Sequence, residues 1–202
     1  TFAGPVAICD VGANVTCRPQ HLYQYGIMAG VYAQTIVGIQ KPRVALLSIG
    51  EEDGKGNELV KGARQLLRQD PNVNFVGNVE GRDLFSGVCD VLLCDGFVGN
   101  VVLKLIEGMA DSVIKGIMKE IGKAMPEVIG TLYGAARQIL KKYDFNEYGG
   151  APLLGVAGIC IICHGASDER GIMNAVRVAK EFSSQHANEK ITEMLSQGQR
   201  IA

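Results

Sequence analysis

A single lysine stands between two glycines in the polar segment that follows an apolar run of the chain. Gly54, Lys55 and Gly56 come after the apolar residues that end at Ile49. Glycine removes side-chain bulk on both sides of the ammonium group, so backbone N–H groups and Lys55 could close together on one small anion. The same pattern also fits a plain strand-to-helix turn that carries a solvated lysine. The chemistry that these residue types suggest is the binding of phosphate or of an oxyanion.

Two other apolar segments end in loops with polar residues and glycines. One loop runs from Asp10 to Asn14, and the other runs from Asp95 to Asn100. In the second loop, Gly99 and Asn100 are expected to start a long helix, whose free N–H groups and positive end would face a ligand. Asn100 also fits an ordinary N-cap. Because open parallel sheets bind ligands beyond the carboxyl ends of their strands, we expect these loops and the Lys55 loop to share one sheet edge.

A histidine follows the last apolar segment, at 159–163. His164 is either a structural residue bonded to backbone or a proton donor in the cavity. Cys160 and Cys163 form a C-x-x-C within that segment, which is predicted to be a buried strand with the two sulfurs on opposite faces. Because no second C-x-x-C completes a zinc site, the sequence predicts neither a metal site nor a disulfide.

The elements that must position these loops follow from the pattern of apolar residues. Apolar strands alternate with amphipathic helices, which predicts an α/β fold with a mostly parallel sheet and helical crossovers. The strands are predicted at 6–9, 43–49, 73–76, 88–94 and 159–163. The helices are predicted at 19–37, 57–69 and 168–195, with a helical hairpin at about 101–142.

The predicted hairpin is locally basic. Lys115, Lys119 and Lys123 recur at four-residue spacing, and the stretch 104–142 holds seven basic and four acidic residues. This surplus fits either a solvated helix face or a surface for an acidic partner or anionic lipid. Apolar residues at 125–133 would suit shallow membrane contact or packing in a dimer.

Composition excludes several classes of protein. Of 202 residues, 47% are hydrophobic and 20% are charged, as in a globular domain with a large core. The net charge of −1 gives no global preference for nucleic acid. No apolar run approaches the roughly 20 residues that span a bilayer, and the chain does not begin like a secretory signal. These features predict a cytoplasmic protein.

Six segments in order along the chain resemble one family. They are DVGAN at 10–14, GEEDGKGNE at 50–58, NFVGNVE at 74–80, DGFVGN at 95–100, YGGAP at 148–152 and HGASD at 164–168. Together they closely resemble the bacterial acyl-carrier-protein:phosphate acyltransferases of phospholipid synthesis, the PlsX family. Six collinear motifs are far more specific than a single glycine loop.

The resemblance implies a reaction and its partners. Inorganic phosphate attacks the thioester of a long-chain acyl group on acyl carrier protein, giving acyl phosphate and free carrier. It also implies a homodimer, peripheral membrane contact through the protruding helical hairpin, and a fold similar to phosphate acetyltransferases and the isocitrate dehydrogenase group. No cofactor and no nucleic acid are expected. Family members carry a long N-terminal region that is expected to be missing from this chain.

The resemblance also implies site residues. By motif, Lys55 and Asn100 are expected to matter most. From its position at a strand end, His164 is expected to assist departure of the thiolate. The substrate-binding residues are expected to be Asp10, Asn14, Gly54, Gly56, Asn57, Asp95, Gly99 and Ser167. The lysines at 115, 119 and 123 are expected to bind the carrier, and no metal is expected. The expected division places a catalytic and dimerisation domain at 1–157 and a C-terminal strand and helix at 158–202.

Three other functions fit parts of the pattern. A phosphate acetyl- or butyryltransferase that uses short acyl groups on coenzyme A would share the fold and the phosphate chemistry. A decarboxylating dehydrogenase of the same fold fits less well, because no aspartate cluster or nucleotide fingerprint is present. A nonenzymatic module that binds the carrier or a membrane is the third alternative.

Overall fold

The computed structural model describes residues 4–141 and 144–198, and the chain separates into two compact units. The first unit comprises Thr1–Asn100, Leu153–Cys160 and Lys180–Ala202. The second comprises Val101–Pro152 and Ile161–Ala179.

The first unit is built on a parallel sheet of four strands. The strands are β1 (Ala7–Cys9), β2 (Val44–Ser48), β3 (Phe75–Glu80) and β4 (Val91–Leu93). Their order in the sheet is β1-β4-β2-β3, and every neighbouring pair is parallel. Residues 44–46 and 91–93 are almost completely buried, as the continuous apolar runs predict for a sheet covered on both faces. The predicted parallel sheet with helical crossovers is confirmed.

Two crossover helices form one layer on this sheet. They are α1 (Pro19–Tyr32), which continues as a π-helical segment at Ala33–Val37, and α2 (Glu58–Gln69). Gly26 of α1 allows a close approach, because a Cβ there would lie 2.8 Å from Leu67 Cδ2 and 3.2 Å from Leu93 Cδ1. The buried core that results joins both helices to the sheet through Leu22, Ile27, Leu46, Ala63, Leu67 and Leu93.

The second unit contains most of the long helical hairpin. Helix α3 (Gly96–Ala124) starts in the first unit and continues into the second, followed by a 3₁₀ turn at Pro126–Val128 and helix α4 (Ile129–Lys141). A short helix α5 (Phe145–Tyr148) precedes β5 (Ala151–Pro152), which pairs antiparallel with β6 (Ile161–Ile162). Among the described residues, no helix is long and apolar enough to cross a membrane.

The C-terminal part is two helices rather than the single helix predicted. Helix α6 (Glu169–Ser184) and helix α7 (Ala187–Gly198) are separated at His186, which has φ 53°. This left-handed backbone cannot continue a right-handed helix. The break lets α7 pack beside α1, where Phe182, Ala187 and Ile191 form a second buried cluster.

The observed strands differ in extent from the predicted ones: β1, β2 and β4 lie within the predicted ranges 6–9, 43–49 and 88–94 but are shorter. β3 starts two residues later than predicted and runs to Glu80, because Asn78 pairs with Leu46 of β2 despite the glycine beside it. The predicted strand 159–163 is only the two residues of β6. In the range 159–163, Cys160 is exposed and Cys163 is half-buried. The prediction that this range is a buried strand was therefore wrong.

Candidate functional site

The three loops that carry candidate residues leave the same edge of the sheet. β2 and β4 are hydrogen-bonded parallel neighbours, with Leu46 opposite Leu93, and β1 lies on the other side of β4. The Lys55 loop follows β2, the segment from Asp95 follows β4, and the segment from Asp10 follows β1. Parallel strands that end together bring these segments to one edge, which is where such sheets bind ligands.

The Lys55 loop presents an exposed ammonium group. The Lys55 N–H donates to the Glu52 carbonyl oxygen at 3.0 Å, which closes a tight turn. The lysine stem lies over Gly50, where a Cβ would come within 2.7 Å of Lys55 Cγ. Among the residues that the structure describes, none forms a hydrogen bond or ion pair with Lys55 Nζ. This cation is therefore available to an anion.

The end of this loop is shaped by two of the expected residues. Gly56 has φ +97°, and a Cβ there would lie 2.7 Å from Val60 Cγ1, so the turn requires glycine. Asn57 is the N-cap of α2, because its Oδ1 accepts the Val60 N–H at 3.0 Å. Gly54 differs, since a Cβ there would meet nothing within 4 Å.

Two side chains outside the loop hold it in place. Arg68 of α2 makes a bidentate ion pair with Asp53 at 2.6 and 2.7 Å, and this contact holds the pKa of the Asp53 carboxyl below its usual value. Asn78 of β3 donates from Nδ2 to the Glu52 carbonyl at 3.2 Å. Asn78 lies in the motif at 74–80 but was not expected to be a site residue, because Gly77-Asn78 is more typical of a loop than of a buried strand.

The Asp10 carboxylate organises the loop after β1. It is buried, and it accepts hydrogen bonds from the N–H groups of Gly12, Ala13 and Asn14 at 2.8, 2.9 and 2.7 Å. These bonds fix the loop backbone. The Asn14 carbonyl oxygen in turn accepts the Gly96 N–H at 2.9 Å, which joins this loop to the start of α3.

Helix α3 begins earlier than predicted. Asp95 Oδ1 accepts the Val98 N–H at 2.9 Å, so Asp95 caps a helix whose first residue is Gly96. Asn100 therefore lies inside the helix and is not its N-cap, and the Gly99 N–H is not free, because it donates to the Asp95 carbonyl at 2.9 Å. The exposed Asn100 side chain lies beside the first loop, since a Cβ on Gly12 would be 3.9 Å from Asn100 Cβ.

A histidine that the sequence pattern did not indicate lies beside the same loop. His21 Nδ1 is 3.4 Å from the Asn14 side-chain amide, and His21 Nε2 is 3.2 Å from the Arg18 guanidinium. Arg18 is the N-cap of α1, and His21 lies in the first turn of that helix. The signal that could have found His21 is its position three residues into a helix that follows a candidate loop.

Two cysteines at this edge are held as neutral thiols. Burial raises the pKa of Cys9 to about 12, with a further contribution from the nearby Asp10 carboxylate. Burial also raises the pKa of Cys94 to about 12, with Asp95 contributing next. A thiol attacks only as the thiolate, so neither Cys9 nor Cys94 is suited to serve as an acyl-accepting nucleophile near neutral pH.

His164 and Ser167 belong to the second unit. The Ala166 N–H donates to His164 Nδ1 at 3.1 Å, and His164 Nε2 lies 3.4 Å from Lys104 Nζ. Asp168 rather than Ser167 caps α6, because Asp168 Oδ1 accepts the Gly171 N–H at 2.9 Å. The Ser167 hydroxyl is buried and has no partner among the described residues.

Two of the three hairpin lysines are already paired with acids. Lys115 contacts Asp111 at 2.7 Å, and Lys123 contacts Glu120 at 2.8 Å, each within α3. Lys119 is exposed and has no such partner in the part of the chain that the structure describes. Two of these lysines are thus paired within their own helix, and the carrier-binding role expected of the three stays a prediction.

A cavity of about 330 Å³ lies elsewhere in the first unit. Pro42, Val44, Asn74 and Phe75 line it, which places it where β2 and β3 begin. This is the sheet edge opposite the Lys55 loop, so the cavity is not part of the candidate site.

Within residues 4–141 and 144–198, no group of three or more His, Cys, Asp or Glu side chains is placed to hold a metal ion.

Known proteins are similar in sequence to nearly the whole length of this chain. A family model described as "Fatty acid synthesis protein" matches residues 1–190. A phosphate acyltransferase of Nitratidesulfovibrio vulgaris strain DP4 is 47% identical over 201 residues, which cover 98% of this chain and 58% of that protein. A phosphate acyltransferase of Moorella thermoacetica is 51% identical over 181 residues, covering 89% and 53% respectively. The chain thus spans somewhat more than half of the length of the curated relatives that it matches.

Proposed function

Because this chain belongs to the fatty acid synthesis protein family, we propose that it carries the phosphate-binding part of an acyltransferase. The enzyme transfers a long-chain acyl group from acyl carrier protein to inorganic phosphate, for phospholipid synthesis. Relatives named phosphate acyltransferase support acyl transfer with phosphate. The observation that carries the proposal is the exposed, unpartnered ammonium of Lys55 within the described residues, at the ligand-binding edge of a parallel sheet.

The reaction needs positioning more than proton transfer. A phosphate oxygen attacks the thioester carbon, a C–O bond forms, the C–S bond breaks, and the carrier leaves as a thiolate. Phosphate is already nucleophilic near neutral pH, and a thiol with a pKa of about 8.5 is a good leaving group. The barrier lies in bringing an anion to a carbonyl whose oxygen becomes negative, so fixed donors matter most.

The residues divide this work. Lys55 holds the phosphate charge, and the Asn100 amide donates to the oxyanion from beside the Gly12 backbone. Asp10 and Asn14 order the first loop, and Asp95 and Gly99 set the start of α3. Gly54, Gly56 and Asn57 shape the lysine turn. His164 assists departure of the carrier thiolate, and Ser167 contributes to substrate binding.

The partners of this enzyme belong to the same proposal. Acyl carrier protein, a second copy of the chain and a membrane surface each need an exposed contact face. Helix α3 offers one, because apolar side chains that are half exposed or more recur at every fourth position in Val101, Leu105, Met109, Val113 and Ile117. Lys119 supplies a cation on that helix for an acidic carrier, and a peripheral membrane contact would use the hairpin tip.

The test compares two lysine variants of the full-length protein. Lys55→Ala should lower formation of acyl phosphate from palmitoyl carrier protein by roughly 100-fold, the usual cost of losing one donor to the reacting anion. Lys61→Ala is the matched control, because Lys61 lies on α2 and pairs with Glu58 at 3.5 Å. Normal turnover by Lys55→Ala would contradict the assignment.

The same assay separates the acyl donors. The proposal predicts efficient turnover of palmitoyl carrier protein and little turnover of acetyl-CoA. The reverse preference would indicate a short-chain phosphate acyltransferase. Carrier binding with no turnover of either donor would indicate a nonenzymatic module.

A further inference from the structure

The carbonyl oxygen of Glu52 receives two hydrogen bonds. One comes from the Lys55 N–H at 3.0 Å, within the lysine turn. The other comes from Asn78 Nδ2 at 3.2 Å, on the neighbouring strand β3. This single oxygen therefore connects the backbone of the candidate phosphate ligand to a side chain of the sheet.

Asn78 is a rigid partner for an exposed loop. The residue is 7% exposed, and it stands opposite Leu46 of the buried strand β2. Its Oδ1 atom is also buried and meets no donor among the described residues. A buried polar atom without a partner destabilises a fold, so packing alone does not explain an amide at this position.

The loop's other contact from outside is an ion pair that is open to solvent. Arg68 and Asp53 keep side-chain exposures of 50% and 63%, so water and salt compete with their contact. The hydrogen bond from Asn78 is partly buried, and its donor belongs to a buried residue of the sheet. It is thus the contact best able to set where the Glu52 carbonyl lies.

We propose that Asn78 is a positioning residue of the phosphate site. Its amide fixes the Glu52 carbonyl, the carbonyl fixes the Lys55 backbone, and the ammonium is thereby aimed at phosphate. The inference rests on the function proposed above for Lys55. A displacement of about 1 Å in a positioned group costs on the order of 100-fold in rate. Loss of the distant Asn78 amide is therefore expected to lower the rate of the reaction at the phosphate site.

The experiment measures steady-state kinetics of the full-length protein with palmitoyl carrier protein and inorganic phosphate. Asn78→Ala should raise KM for phosphate by about tenfold or more and leave KM for the carrier unchanged. High phosphate should then restore much of the turnover. Asn74→Ala is the matched control, because Asn74 also donates from Nδ2 to a backbone carbonyl, that of Lys41 at 3.3 Å, but at the start of β3. It should behave as wild type.

A purely structural role gives a different result. If Asn78→Ala only reduces the folded fraction, kcat falls while both KM values stay unchanged, and the proposal is overturned. Asn78→Asp keeps the shape and removes the donor, so it should show the same rise in KM if Asn78→Ala does not fold. Failure of both variants to fold would assign Asn78 to sheet stability and also overturn the positioning role.

The two proposals fail separately. Wild-type turnover by Lys55→Ala contradicts the function proposed for the lysine loop. An inactive Lys55→Ala beside an Asn78→Ala with unchanged kinetics contradicts only the role of Asn78.

Discussion

Gly99 of α3 lies directly against the main-chain carbonyl oxygen of Asp10, so that a Cβ at Gly99 would overlap that oxygen. Asp10 also holds its own loop through three backbone N–H groups on its carboxylate. The start of α3 and the loop after β1 are thereby fixed to each other. Asn100, the next residue of the helix, takes its place beside Gly12 as a result of this contact.

The first prediction follows from that contact. Gly99→Ala should destabilise the protein by about 1–3 kcal/mol, because the added methyl group must push the helix away from the Asp10 carbonyl. Gly108→Ala, on an exposed part of the same helix where a Cβ meets nothing within 4 Å, should instead stabilise it by about 0.5–1 kcal/mol. Denaturant unfolding of both variants measures the difference. Equal effects of the two substitutions would contradict the close contact.

The second prediction concerns stability in acid. Arg43 donates to both carboxylate oxygens of Asp90, at 3.0 and 2.9 Å, and this pairing holds the pKa of Asp90 below its usual value. A lowered folded-state pKa stabilises the fold above the unfolded value of about 3.9, and this gain is lost as pH falls through the folded value.

Asp90→Asn tests this linkage. The stability difference between wild type and Asp90→Asn should be constant above about pH 5 and should shrink as the pH falls below about 4. Denaturant unfolding across that range measures it. A difference that grows on acidification would show that the Arg43 pair does not stabilise the ionised carboxylate.

The third prediction concerns the cysteines. Cys160 is exposed, whereas Cys89 and Cys94 are buried and burial raises the pKa of Cys9 to about 12. Iodoacetamide at pH 8 should therefore modify Cys160 in the native protein and modify Cys9, Cys89 and Cys94 only after unfolding. Mass spectrometry of peptides from native and unfolded samples distinguishes these sites. Equal labelling of Cys9 and Cys160 in the native protein would contradict the raised pKa of the half-buried Cys9 thiol.

The sequence predicted the elements with strong periodicity. The apolar runs of β2 and β4 and the helical spacing of α2 are properties of neighbouring residues, so they can be read locally. The shared edge of the Lys55 and Asp95 loops also followed, because parallel strands joined by helices place their carboxyl ends together.

What the sequence did not predict depends on contacts between distant residues. Asn78 follows a glycine and is typical of a loop, yet pairing with Leu46 keeps it in β3. Helix α3 starts earlier than predicted because Asp95 accepts the Val98 N–H. Asn100 is therefore an internal helical residue. No glycine or proline near His186 indicates a helix break in the sequence. The break is seen only in the structure, where His186 has φ 53°.

The central claim is that the Lys55 ammonium binds inorganic phosphate, and equilibrium binding of labelled phosphate to the full-length protein tests it most directly. We predict saturable binding that Lys55→Ala weakens by about tenfold or more, with no change in Lys61→Ala, since only the first lysine is available to an anion. Equal phosphate affinity in the wild type and in Lys55→Ala would contradict the claim.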